Sequence, residues 1–150
     1  MKIYNYFLVF VFLLASCSTK DNVESISEWK HINSPVLNGK SLTDVEFLND
    51  DFGLISAERG LLVKTNDGGQ TWVDLNVGTN HSFLKSFILN ENEFFTSRNK
   101  IYKTNNKGES FNTLGGFSDN GGSISGIYFF DSNNGVINKG SNLYKTCLLY

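Results

Sequence analysis

Three stretches of this 150-residue chain superimpose at successive offsets of 41: Leu42–Asn49, Phe83–Asn90 and Ile124–Asp131. Leu48, Leu89 and Phe130 fall in register, and each is followed by Asn or Asp. Turn chemistry comes next in every copy: Asp50-Asp51-Phe52-Gly53, Glu91-Asn92-Glu93 and Ser132-Asn133-Asn134-Gly135. A short second strand is expected at 54–56, 95–97 and 136–138, and a third at 61–65, 100–104 and 142–146. Apolar residues alternate within these runs, Gly and Asn punctuate them, and no segment beyond the N-terminus sustains a 3.6-residue period. The chain is therefore all-β and repetitive.

Each third strand should turn into a fourth, through Asn66–Gln70 into Thr71–Leu75 and through Asn105–Glu109 into Ser110–Leu114. Four strands in roughly 40–45 residues is the pattern of a β-propeller blade. The expected fold is thus a set of four-stranded antiparallel blades over residues 28–150, comprising blades at 42–76 and 83–115 and an incomplete blade at 124–146. Glu28-Trp29-Lys30-His31-Ile32 reads as an orphan fourth strand, because Trp29, Trp72 and Phe111 are spaced by 43 and 39. Propellers use such a strand to complete the last blade.

Thr65-Asn66-Asp67-Gly68-Gly69-Gln70-Thr71-Trp72 resembles the Asp-box, or bacterial neuraminidase repeat, and matches Ser/Thr-x-Asp-x-Gly-x-Thr-Trp at every defined position. Thr65, Asp67, Gly69, Thr71 and Trp72 are its structural residues. Asp67 would accept hydrogen bonds within its own hairpin, Gly69 would supply a positive φ, and Trp72 would bury a large surface. A second copy is degenerate, with Thr104 and Gly108 retained and Asn106, Ser110 and Phe111 in place of Asp, Thr and Trp. Among Asp-box proteins the wording is most similar to the photosystem II stability/assembly factor family. That resemblance implies a scaffold-like assembly role; sialidases and sortilin-type receptors carry the box more sparsely.

The repeat breaks after Tyr144-Lys145-Thr146, where Cys147-Leu148-Leu149-Tyr150 stands in place of a turn and a fourth strand. An incomplete ring is expected, as from a C-terminally truncated product of a longer gene. The alternative is a ring assembled from several chains.

The N-terminus reads as an address. Lys2 precedes an apolar stretch ending at Ala15, which has the form of a signal peptide over 1–16. From Phe7 to Ala15 it is uninterrupted for nine residues, whereas a spanning helix needs about 20. Leu14-Ala15-Ser16-Cys17 resembles the bacterial lipobox, so Cys17 is the expected lipidation site, followed by a polar tether at 17–27. The expected location is the bacterial cell envelope, lipid-anchored. Ser18, rather than Asp, after the cysteine points to the outer membrane under rules known for some Gram-negative bacteria.

Net charge is −2, with no Lys/Arg cluster, which disfavours a nucleic-acid partner. A sialidase needs an arginine triad, and the chain holds only Arg59 and Arg98. Asp44, Glu46, Asp50, Asp51 and Glu58 could in principle serve two-carboxylate glycoside chemistry, but are expected in solvated turns. The Asp131–Gly135 loop lacks the glycine and bidentate glutamate of a calcium loop, and His31 and His81 have no ligand spacing, so no metal site is expected. Gly115-Gly116 and Gly121-Gly122 lack a phosphate-loop setting, and Cys147 has no histidine at motif distance. No cofactor and no catalytic residue is expected. The functional expectation is an envelope-anchored, non-enzymatic propeller that scaffolds a protein or glycan partner. The alternative is a fragment of an exported sialidase-like or other carbohydrate-active enzyme whose catalytic residues lie in missing blades.

Overall fold

The structure, a computed structural model, describes residues 29–115 and 122–147. The signal peptide, Cys17 and the tether lie outside the described residues. Eleven strands are present among those described: β1 (Leu42–Phe47), β2 (Gly53–Ala57), β3 (Leu62–Thr65), β4 (Val73–Asp74), β5 (Lys85–Ile88), β6 (Phe94–Ser97), β7 (Ile101–Thr104), β8 (Asn112–Leu114), β9 (Ile124–Phe129), β10 (Asn134–Lys139) and β11 (Asn142–Cys147). They form three antiparallel sheets ordered β1-β2-β3-β4, β5-β6-β7-β8 and β9-β10-β11. These are the blades the 41-residue repeat predicts. Their ring is not closed.

The repeat has a local cause. Asn49 Oδ1 accepts from the N–H groups of Asp51 (3.0 Å) and Phe52 (2.7 Å), folding the turn between β1 and β2. Asn90 does the same for Asn92 and Glu93, both at 3.0 Å. Asp131 repeats it with Asn133 (2.7 Å) and Asn134 (2.8 Å). One Asx turn per blade thus sets the hairpin and its register.

A blade must bury both faces, and it does so against its neighbours. Between the first two blades, Leu54, Leu62, Phe83 and Phe94 are completely buried, with Phe52, Leu75 and Ile88 beside them. Between the second and third, Phe95 stacks on Phe129 with ring centroids 3.8 Å apart and planes 7° from parallel, among Ile101, Ile124 and Ile137. Main-chain bonds stitch the same joints at the 41-residue offset: Phe83 N–H to Ala57 O (3.0 Å) and Ile124 N–H to Arg98 O (2.6 Å).

Two expectations need correction. Residues 29–32 carry no strand, and Trp29 is fully exposed (101%), so the orphan fourth strand is not formed over these residues. Spacing alone had aligned Trp29 with Trp72, without a partner strand to pair with. The fourth strands are also shorter than predicted. The box holds residues 66–71 as a turn and leaves only Val73–Asp74 to pair with β3.

Candidate functional site

Each Asp-box closes the turn between the third and fourth strands of its blade. In the first, Thr65 ends β3 and turns its hydroxyl inward. Thr65 Oγ1 donates to Asp67 Oδ1 (2.7 Å) and accepts from the N–H groups of Asp67 (3.2 Å) and Gly69 (2.8 Å). Asp67 then reaches across: Oδ1 accepts the Thr71 N–H (2.8 Å) and Oδ2 the Thr71 hydroxyl (2.5 Å). These donors, Thr71 first, hold the Asp67 carboxyl down at about 2, so it stays ionised through ordinary acid conditions. Gly69 sits at φ 87°, in the left-handed region that disfavours any side chain.

The degenerate box keeps this circuit with different chemistry. Thr104 Oγ1 donates to Asn106 Oδ1 (2.8 Å) and accepts the Gly108 N–H (3.0 Å), while Asn106 Oδ1 accepts the Ser110 N–H (3.1 Å). At the last link the sense reverses: Asn106 Nδ2 donates to Ser110 Oγ (2.9 Å), where Asp67 accepts from Thr71. Gly108, at φ 88°, takes the same conformation as Gly69, and Phe111 packs its ring 6.1 Å from that of Phe94. Both boxes spend their polar atoms on their own hairpins. They are scaffold.

Trp72 is half-buried: its indole N–H donates to Gly69 O (3.0 Å), and its ring meets Phe47 edge-on at 6.2 Å over the Ile55–Ala57–Leu61–Val63 cluster. Full burial would have set the cost of Trp72→Ala at about 3–5 kcal/mol. With the side chain partly exposed, a loss of about 2 kcal/mol is expected in urea unfolding. A loss above about 4 kcal/mol would show that Trp72 is a core residue after all.

Asp44 and Glu46 also correct the sequence reading, because they lie on β1 rather than in a turn. Asp44 pairs with Lys85 Nζ (2.7 Å) and accepts the Ser86 N–H (2.8 Å); Glu46 accepts the Ile88 N–H (3.1 Å). Edge N–H groups of β5 that have no strand partner are thus satisfied by carboxylates of the preceding blade. Burial pushes the Glu46 carboxyl up to about 7, opposed by the Ile88 N–H and by Lys85, and assisted by the negative charge of Asp44. The folded state therefore holds a proton that the unfolded chain releases near 4.5. Stability falls as pH rises from about 4.5 to about 7 and is flat above, by about 1 kcal/mol after allowance for solvent screening. Glu46→Gln keeps the acceptor and removes the titration. Thermal melts across that window should show the wild-type slope flattened in the variant; parallel slopes would assign the titration elsewhere.

Asp50, Asp51 and Glu58 do lie in turns, and Asp131 is held below the usual carboxylate range, first by the Asn133 N–H. Among the described residues no three His, Cys, Asp or Glu side chains gather as a metal site. Arg59 and Arg98 occupy the β2–β3 and β6–β7 turns of successive blades, facing separate concavities of about 430 and 550 Å³. Sequence reasoning also missed the lysine that precedes the box threonine. Lys64 reaches the Lys107 carbonyl (2.7 Å) of the next blade, and Lys103 the Ser132 carbonyl (2.6 Å) of the next again. The repeated Lys-Thr at the end of each third strand was the available signal.

Known proteins share these features. The profile of the family described as Photosynthesis system II assembly factor YCF48 matches residues 21–97, half of the chain. The Photosystem II assembly lipoprotein Ycf48 of Prochlorococcus marinus is 32% identical over 97 residues, covering 60% of this chain and 28% of the relative. A solved structure described as YCF48 bound to D1 peptide superimposes with a TM-score of 0.63 at 21% identity, over 72% of this chain and 37% of that one. YCF48 from Cyanidioschyzon merolae gives 0.65 at 20% identity, over 79% and 39%. The chain spans well under half the length of these relatives. With the repeat, the boxes and the blade geometry, the match over residues 21–97 makes this chain a member of the YCF48 photosystem II assembly factor family of Asp-box β-propellers.

Proposed function

We propose that this chain is a non-enzymatic propeller module that scaffolds a protein partner at a membrane, held there by a lipid on Cys17. Family membership over residues 21–97 carries the reading, and a fold neighbour described as bound to a D1 peptide supports a protein, rather than a sugar, as the class of partner. The boxes support it in a second way: their recognisable polar groups are consumed in holding turns, leaving the blades as a rigid frame for presenting a surface. A lipoprotein among the relatives supports the anchor, and the envelope location follows from the lipobox-like Leu14–Cys17.

Chemical crosslinking in cells of the source organism, followed by isolation of this protein from the membrane fraction, tests the partner. The expected result is a discrete adduct with one membrane protein. Adducts with itself alone, or retention by a glycan column without a protein adduct, would displace the proposal. The anchor has its own test. Cys17→Ser should move the protein from the membrane to the soluble fraction, and unchanged membrane association would remove the lipid from the account.

A further inference from the structure

The two ends of the blades carry opposite charge. The end holding the β2–β3 and β6–β7 turns displays Lys40, Arg59, Arg98 and Lys100, with exposed His81, against Glu58 and Asp74. The other end, with the Asx turns and the boxes, displays Asp50, Asp51, Asp67, Glu91, Glu109 and Asp131 against Lys64, Lys107 and Lys145, since Glu93 and Lys103 neutralise each other there. At the cationic end the two concavities adjoin at Thr79, and among the described residues no carboxylate lines the one bordered by His81, Arg98 and Lys100.

The chain also enters its fold at that end. Leu42 pairs with Ala57 beside the β2–β3 turn, and Val36 and Leu37 pack on Ala57 and Leu61. Cys17 lies only 15 residues before Ile32, a reach of at most about 50 Å when extended. A lipid on Cys17 therefore leaves this end within reach of the bilayer surface.

We infer that the cationic end is a docking surface for anionic phospholipid headgroups, which seats the propeller end-on against the membrane and turns its acidic end away. The inference rests on the lipid anchor proposed above. A bilayer fits better than a single acidic peptide, because the cations extend beyond the concavity lined by His81, Arg98 and Lys100 to Lys40 and Arg59 on the neighbouring blade, with Glu58 and Asp74 among the latter. Each Lys or Arg near an anionic surface gains roughly fivefold in binding, and the attraction fades within about a Debye length. An acidic end would be repelled by the same field.

The test uses the full lipidated chain in vesicles of phosphatidylcholine containing roughly 30% phosphatidylglycerol, with Cys147→Ser removing the second thiol. A fluorophore is placed through Asn99→Cys, at the cationic end of the second blade, or through Asn92→Cys, at its acidic end; headgroup-labelled lipid is the quencher. The Asn99 position should be quenched at least about threefold more than the Asn92 position, and the difference should vanish in pure phosphatidylcholine or in about 0.5 M salt. Arg59→Glu with Arg98→Glu should abolish it, whereas Arg59→Lys with Arg98→Lys should retain it, which separates charge from folding. Equal quenching at both positions, or an asymmetry indifferent to salt, would overturn the docking surface while leaving the anchor intact. Failure of the chain to associate with vesicles at all would overturn the anchor and this inference with it. Unquenched Asn99 label whose emission shifts on adding polyglutamate would make the surface a peptide site instead.

Discussion

Phe83→Ala is expected to destabilise the protein by about 3–5 kcal/mol, and to lower its melting midpoint by roughly 10 °C or more. Phe83 is wholly buried where the first two blades meet, with its ring edge-on to Tyr102 at 5.8 Å and Leu54, Leu62 and Phe94 around it. Its main chain is fixed as well: the N–H donates to Ala57 O (3.0 Å), and the carbonyl accepts the Thr43 hydroxyl (2.8 Å). With the backbone held on both sides, the site cannot collapse around the missing ring, so a cavity remains and the cost stays near the top of the usual range. Total stabilities of domains run to only about 5–15 kcal/mol, so this single ring carries a large fraction. Phe130→Ala is the control. That ring is 61% exposed at the end of the third blade, touching Tyr128, and its loss should cost under about 1 kcal/mol. Comparable losses in urea unfolding would show that the joint between blades is not where stability resides.

The same joint explains what the sequence could and could not reveal. Strand positions were legible because each blade restarts from an Asx residue, Asn49, Asn90 or Asp131, whose side chain folds the following turn by itself. The Asp-box was legible for the same reason, since Thr65, Asp67 and Thr71 bond to one another within seven residues of chain. Contacts between blades join residues 26 to 43 apart and leave no local mark. Asp44 and Glu46 look like solvated carboxylates on their own strand, and only the neighbouring β5 edge shows why they are there. Trp29 shows the opposite case: its spacing matches that of the blade aromatics, but no strand pairs with residues 29–32.

Charge at the joints is the second place where a large effect is expected. Lys103→Met should cost about 3 kcal/mol, whereas Lys64→Met, at the matching position one blade earlier, should cost under about 1 kcal/mol. The lysines look alike in sequence and differ in what they hold. Lys64, only half-buried, donates to the Lys107 carbonyl (2.7 Å), and that partial burial lowers its own affinity for a proton. Lys103 Nζ lies 2.8 Å from Glu93 Oε1, donates to the Ser132 carbonyl (2.6 Å) and sits over the Phe95 ring, with the two charged side chains only 10% and 11% exposed. The other Glu93 oxygen accepts the Ser132 hydroxyl at 2.6 Å, so one carboxylate fastens the third blade to the second. Removing Lys103 alone strands that carboxylate away from water, and most of the cost is that uncompensated charge rather than the lost attraction. It follows that Glu93→Gln, added to Lys103→Met, should recover at least about half of the loss, because the amide oxygen still accepts the Ser132 hydroxyl and no charge is left buried. A double-mutant cycle in urea measures this directly. If Lys103→Met is no worse than Lys64→Met, or if Glu93→Gln deepens its effect, the pair is not the fastening between these blades.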